Sequence, residues 1–441
     1  MTEQVNQSVP FGDPLWHSDK SHPFYKDSHR RLQVWMRNYI DTYIEPYSYE
    51  WETQGYISDE AFNRHAKLGV LAASCYPLPK DHLDGVTLPA GISLSEWDVF
   101  HYAIVIDEIA RCGFLGVVWG INGGATVGTT PLSTKATEQQ KRKWLAPLLR
   151  GEQRHALAVT EPAGEWDVSF ERSELQAYHH LAAGSDVGGL QTTAVKSEDG
   201  KYYIVNGAKK WVTQGQFADW VLLAARTGKA GNKGISTMMV DLRSKGVSRR
   251  KMENSGVRSS GSAFVEFDDV KVPVENLIGQ ENEGFKVIMS TFNHERLWVG
   301  IIANRLGRVA LTDSYNHALR RKTFNRPIME NQVIRAKFTK MAGLLEASSA
   351  LIETIIHLSE QGPSDALSTY SALVKYRAAH DLEKISREAQ QVFGGLAYSR
   401  GGMGARVEQI SRDVRVLVVS GGSEEILMDL VAKRARGGPK I

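Results

Sequence analysis

The spacing of apolar positions changes twice along the chain and divides it into three segments. Up to about residue 155 the spacing is helical. Asp107-Glu108-Ile109-Ala110-Arg111 opens a long run, and Thr137-Glu138-Gln139-Gln140-Lys141 reads as a capped helix start with Leu145 and Leu149 facing inward. From about 156 to 275 the pattern is that of strands. Tyr202 to Asn206, Val221 to Ala225, Ile235 to Leu242 and Ala263 to Phe267 are short, rich in β-branched or aromatic residues and punctuated by glycine. From about 283 the helical period returns. Trp298, Ile302, Leu306 and Val309 fall at helical intervals, Ile334, Phe338, Met341 and Leu345 repeat them, and Gln361-Gly362-Pro363 and Gly394-Gly395 act as breaks. The expectation is an α+β multidomain chain, with an N-terminal helical domain over 1–155, a middle β-domain over 156–275 and a C-terminal helical bundle over 283–441.

Composition narrows the choice of function more than it directs it. The chain has 441 residues, a net charge of +3, and Lys and Arg spread evenly, which argues against nucleic acid and leaves room for a small anionic ligand. Two cysteines without CxxC spacing, Cys75 and Cys112, exclude a disulfide scaffold or a cysteine metal site, and no metal is expected. No apolar run approaches eighteen residues, so no membrane span is expected. The N-terminal stretch has neither a signal-peptide core nor an Arg-rich presequence, and Pro439-Lys440-Ile441 is a distant, chance echo of a peroxisomal tripeptide. The expected location is the cytoplasm or an organellar matrix, mitochondrial or peroxisomal.

Six motifs then stand in register. They are Thr160-Glu161-Pro162, Ala183-Gly184-Ser185-Asp186-Val187, Gly207-Ala208-Lys209-Lys210-Trp211-Val212-Thr213, Arg321-Lys322-Thr323-Phe324, Gln391-Val392-Phe393-Gly394-Gly395 and Arg412-Asp413. In order and spacing they resemble the acyl-CoA dehydrogenases, over nearly the whole chain. The resemblance implies helical N-terminal and β-barrel-like middle domains, a C-terminal four-helix bundle, FAD in the cleft between β-domain and bundle, and assembly as a homotetramer or homodimer. It implies that Thr160 and Thr213 offer hydroxyls to the isoalloxazine edge, that Trp211 covers a ring face, and that Ser185 reaches the pyrophosphate or the ligand. From a neighbouring subunit, Arg321 would meet the pyrophosphate, and Phe324, Gln391 and Gly395 the adenosine half. Ser423, the apparent N-cap of the last helix, is counted with Glu425 among the cofactor residues, Glu425 near the adenine edge.

Oxidation of a Cα–Cβ bond needs a carboxylate base, best placed in a dry pocket that raises its pKa. In much of the family this is a Glu following the Arg-Asp element, and here that position is Gly421, preceded by Ser420 where a tyrosine is usual. One branch, resembling isovaleryl-CoA and long-chain acyl-CoA dehydrogenases, takes its Glu from an earlier Glu-Arg-Leu stretch. His294-Glu295-Arg296-Leu297 matches it, which makes Glu295 the candidate base and Arg296 a contact to the CoA moiety. Small residues at 420 and 421 imply a roomy acyl pocket.

One departure concerns residues 164–182, Gly164 to Ala182, which separate Thr160-Glu161-Pro162 from Ala183-Gly184-Ser185-Asp186-Val187. Deleting them restores the family spacing. Gly-Glu-Trp is encodable with a splice-donor-like GTGAGT, and a retained intron, as in a fungal gene, is the expectation. Otherwise the insert loops out, or Ala163-Gly164-Glu165-Trp166-Asp167-Val168 takes the place of the second motif.

The expected activity is dehydrogenation of an acyl-CoA or carrier-bound acyl thioester, in fatty or branched acyl breakdown or in biosynthesis. Electrons would pass to an acceptor such as an electron-transferring flavoprotein. The alternatives are a flavin oxidase or monooxygenase of the same fold, or a non-catalytic flavoprotein that binds a partner.

Overall fold

The computed structural model describes residues 9–162, 186–362 and 364–435. Ser185 and the segment 164–182 lie outside them. Helices α1 (Asp27–Tyr43), α2 (Glu45–Gln54), α3 (Asp59–Lys67), α4 (Val99–Ala110) and α5 (Leu115–Lys135) precede the strands. Strands β1 (His155–Ala158), β2 (Thr193–Lys196), β3 (Tyr202–Val212), β4 (Trp220–Arg226), β5 (Ile235–Asp241), β6 (Val247–Lys251), β7 (Ala263–Pro273) and β8 (Leu277–Ile278) follow. The chain ends in α6 (Gly284–Arg320), interrupted from α7 by the hairpin β9 (Lys322–Thr323) and β10 (Arg326–Pro327), then α7 (Gln332–Glu360), α8 (Asp365–Phe393), α9 (Ala405–Val419) and α10 (Glu424–Ala435).

The Thr137 hydroxyl accepts from Gln140 N, so that capping box is present. Asp107 to Arg111, expected to open a helix, closes α4 instead, and Gly113 at φ +79° carries the chain into α5. The two acids do not serve a helix N-terminus. Asp107 pairs with the buried Arg305 and Glu108 with Arg37 at 2.8 Å, tying α4 to α6 and α1. Among the strands, β3 continues to Val212, well past the expected Asn206, and β1, β2 and β6 were not anticipated. His155-Ala156-Leu157-Ala158 has no alternation to read because nearly all of it is buried, and Val247 to Lys251 is a basic edge.

The sheet runs β6-β7-β3-β2-β4-β5-β8, with β1 beside β4. Its two halves join through one parallel pair, Thr193 with Arg226. Helix α5 lies close against this domain, with glycine at 116, 120 and 124 on one stripe. A Cβ at Gly124 would fall 1.9 Å from the His155 carbonyl oxygen, and one at Gly116 would fall 2.0 Å from the Glu52 carboxylate. In the bundle, Ile302 and Leu306 of α6 are buried and the helix packs on α7 and α8, while Trp298 is buried beside Trp119 of α5. Helix α7 is long and apolar enough to cross a membrane by composition, yet its inner face packs in this bundle.

The three parts meet at two buried carboxyls. Asp413 of α9 accepts from Leu115 N at 3.1 Å and Val257 N at 2.9 Å, while Glu52 of α2 accepts from Arg258 N at 2.7 Å and Ser259 N at 3.1 Å. The Gln409 amide bridges the two acids. Burial, then the neighbouring Glu52, pushes Asp413 well above the carboxylate range. The Arg412-Asp413 motif is thus a clasp that fixes the β-domain against both helical parts.

Candidate active site

A cavity of about 1190 Å³ opens between the β-domain and helices α6, α9 and α10. On the sheet side it is lined by Thr160, Trp211 and Thr213, and on the helical side by Glu295, Arg296, Ser420, Gly421 and Ser423. Two walls therefore collect residues that lie between 82 (Thr213 to Glu295) and 263 (Thr160 to Ser423) positions apart.

The sheet wall is held from beneath. The carbonyl of Thr160 accepts from Lys210 N at 2.9 Å, which brings the Thr160 segment beside the strand that carries Trp211. Next in sequence, Glu161 is buried and accepts from Lys209 Nζ at 2.8 Å, Gln191 N at 2.6 Å and Thr192 N at 2.8 Å. Burial would raise this carboxyl, but Lys209 and the amides hold it low. Burial also depresses Lys209 to about 8, against the pull of Glu161. These bonds pin Glu161 to residues that follow the segment 163–185, and Asp186 and Val187 line the same cavity as Thr160. Trp211 sits where the β3–β7 register slips between Lys209 and Val212, at φ +57° and half-exposed. A positive φ on a bulky residue is strained, and such strain gathers at ligand sites.

The helical wall centres on α6. His294 is buried and stacked on Tyr76 with centroids 4.3 Å apart, and burial lowers it to about 3, so it is neutral. One position on, about 100° around the helix, Glu295 faces the cavity. Its remaining exposure is to that cavity, and burial raises its carboxyl to about 7 despite the charges of Arg296 and Lys375. A Cβ built on Gly421 (φ +63°) would stand 3.5 Å from Glu295 Oε1. The carboxylate of Glu295 thus stands directly beside position 421, at the distance of an ordinary van der Waals contact. Burial depresses Arg296 to about 10, leaving it cationic, and it donates to the Gly421 carbonyl at 3.4 Å and to Asn293 at 3.3 Å.

Lys375 of α8 was not anticipated. It is buried, and its Nζ donates to the carbonyls of Val418 at 2.6 Å and Gly422 at 2.8 Å, closing the loop that carries Ser420 and Gly421. Burial lowers its ammonium to about 8. The signal lay in Ser371, Lys375, Ala378 and Leu382, a buried stripe at helical spacing with a lysine in it.

The remaining candidates fall elsewhere. Glu425 is exposed, its carboxyl held low by its own backbone amide and then by Ser423, and it does not line the cavity. Arg321, Phe324, Gln391 and Gly395 are exposed and also lie outside the cavity. The His317 ring stacks on Phe393 at 4.4 Å, which draws the end of α6, and the hairpin after it, toward the 391–395 segment.

Known proteins share this sequence pattern and fold. Models of the N-terminal, middle and C-terminal domains of acyl-CoA dehydrogenase match residues 26–152, 180–270 and 282–436. The acyl-CoA dehydrogenase AFT10-1 of Alternaria alternata is 42% identical over 437 residues, covering 98% of this chain and 96% of its own. The chain belongs to the acyl-CoA dehydrogenase family. A second fungal member, acyl-CoA dehydrogenase apdG of Emericella nidulans, is 36% identical and covers 96% of this chain and 94% of its own. The three-dimensional structure of butyryl-CoA dehydrogenase from Megasphaera elsdenii superposes with a TM-score of 0.80 at 26% identity, over 93% of this chain and 99% of that one.

Acyl-CoA dehydrogenases are FAD-dependent oxidoreductases, and the cavity suits the flavin. It offers a half-exposed indole on a strained bulge, hydroxyls at Thr160 and Thr213, and a volume beyond that of a lone acyl chain. The middle-domain match begins at residue 180, downstream of Thr160-Glu161-Pro162.

Proposed function

We propose that this acyl-CoA dehydrogenase family member oxidises the Cα–Cβ bond of an acyl thioester to the trans-2-enoyl thioester, with Glu295 as the base. FAD, when bound, supplies the acceptor for the hydride that leaves Cβ. Glu295 takes the α-proton on its carboxylate, and its raised affinity for protons suits that task near neutral pH. The observation that carries the reading is the paired exchange, a buried carboxyl at 295 against a glycine at 421. Arg296, cationic and facing the same cavity, would bind the CoA or phosphopantetheine part. The Arg321 and Phe324 hairpin and the 391–395 segment would serve the flavin of a second copy, which makes the protein a homodimer or homotetramer. An electron-transferring flavoprotein is the proposed acceptor.

The test is anaerobic addition of acyl-CoAs to the flavin-loaded protein. Bleaching of the flavin band is expected, and Glu295→Gln should slow it by about 10²–10⁴-fold. A Glu295→Gln protein that bleaches at the parent rate sinks the base assignment. Rapid reoxidation by air would favour an oxidase over a dehydrogenase.

A further inference from the structure

Helix α6 presents Glu295 and, three positions later, Trp298 to the same cavity. Trp298 is the last residue of α6 on that lining, because Ile302 and Leu306, further along the same stripe, are fully buried core. Across from it α5 contributes Trp119, and the two indoles stack with centroids 5.9 Å apart and planes inclined by 22°. Their exposures are 5% for Trp119 and 2% for Trp298, so the rings fill the space between the helices beyond the carboxylate. Neither indole N–H has a hydrogen-bond partner among the described residues, so shape alone holds the pair. The backbone of α5 is fixed there, since the Gln214 amide donates to the Trp119 carbonyl at 3.0 Å. Elsewhere on the lining, Arg296 and Arg434 supply positive charge suited to the anionic carrier part of a thioester, while Arg415 and Lys433 are paired with Glu383 and Asp429.

We propose that the stacked Trp119 and Trp298 form the end wall of the acyl channel, so that the protein takes thioesters of short or compact acyl groups and excludes long chains. The proposal rests on the thioester reading above. A flat double ring is a rigid stop. Affinity should climb about fourfold per methylene while the channel fills, and it should fall for longer chains, which can enter only by pulling the thioester away from Glu295.

The test uses flavin-loaded protein, its Trp298→Leu and Trp298→Ala variants, and two readouts. Binding of unreactive S-alkyl-CoA thioethers from butyl to hexadecyl is followed by calorimetry, and flavin bleaching is followed with the matching acyl-CoAs. The parent should bind and oxidise the butyl and hexyl members at least about tenfold better than the hexadecyl member. Trp298→Leu should recover most of that difference for long chains, with its flavin content confirming the fold if Trp298→Ala does not accumulate. Equal binding of short and long thioethers by the parent would overturn the wall, as would variants that keep its length preference. Length-dependent binding without bleaching would leave the wall standing and count against the dehydrogenase reading alone.

Discussion

Glu295 is a carboxyl in a site with little to solvate its charge, and two cations nearby only partly offset that. Its proton is therefore held to about pH 7 in the folded chain, against about 4.3 when unfolded. A group raised in this way contributes stability below its unfolded pKa, and the contribution is lost as pH rises through the folded value. Two expectations follow from that sign. The rate of flavin bleaching should climb through about pH 7 as the base ionises, measured by anaerobic stopped flow across pH. Glu295→Gln should match the parent's stability at acid pH and exceed it at pH 8 and above, by up to about 3 kcal/mol in urea unfolding. A parent that is as stable as the variant at pH 8 would mean that the carboxyl is solvated. The residue was legible in the sequence because its partner was: a glycine at the usual base position has meaning only beside a Glu-Arg-Leu stretch. Thr160, Trp211 and Thr213 were legible for the same reason, since the motifs that carry them keep their order. Gly421 adds a smaller expectation. Alanine there would sit at φ +63° and touch the carboxylate, and should cost about 1 kcal/mol of stability in the same urea titration.

At the scale of elements, the proposed base Glu295 stands beside a loop that helix α8 holds in place. Lys375 satisfies the Val418 carbonyl at the end of α9 and the Gly422 carbonyl in the turn to α10, and its charge lowers the pKa of Glu295. Lys375→Met keeps length and apolar bulk but leaves the Val418 and Gly422 carbonyls unpaired, at about 1–3 kcal/mol for each that stays buried. It also removes a cation from beside the base. The variant should be less stable in urea, and the rise of its bleaching rate should move to higher pH. A lysine that served structure alone would lower stability and leave that rise where it is. Periodicity could not have named this residue's role, because a helical stripe shows that Lys375 is buried without showing which carbonyls it meets. The same limit explains the strands. Tyr202 to Asn206 alternates and was readable, whereas the bulge that extends β3 to Trp211 depends on pairing with β7, which no local pattern encodes. Asp107 to Arg111 was misplaced for a related reason. Acids near a helix end suggest an N-terminus, but here Arg305 and Arg37 claim them from other helices.

The whole molecule carries one feature that a lone chain does not explain. Phe324 is fully exposed at φ +50°, and Asn325 follows at φ +64°, in the two-residue turn between β9 and β10. Such turns favour Asn and Gly, whose backbones adopt positive φ readily. A phenylalanine there is strained and also presents its ring to water, so it gains nothing in isolation. Leu396 and Tyr398 lie exposed near the 391–395 segment, which the His317–Phe393 stack links to the base of this hairpin. Both features make sense if a second copy, with its flavin, covers this surface. Phe324→Asn separates the two effects. Relief of the turn should raise the stability of the apo chain by about 1 kcal/mol, measured by urea unfolding without flavin. Loss of the ring should weaken flavin retention, measured as the fraction of FAD that stays with the protein through gel filtration at low concentration. Sedimentation of the parent should give the mass of a dimer or tetramer, and the flavin should dissociate together with the assembly on dilution. A monomeric parent that keeps its FAD, or a Phe324→Asn protein that holds flavin as firmly as the parent, would show that the exposed ring has no role in a second subunit's site.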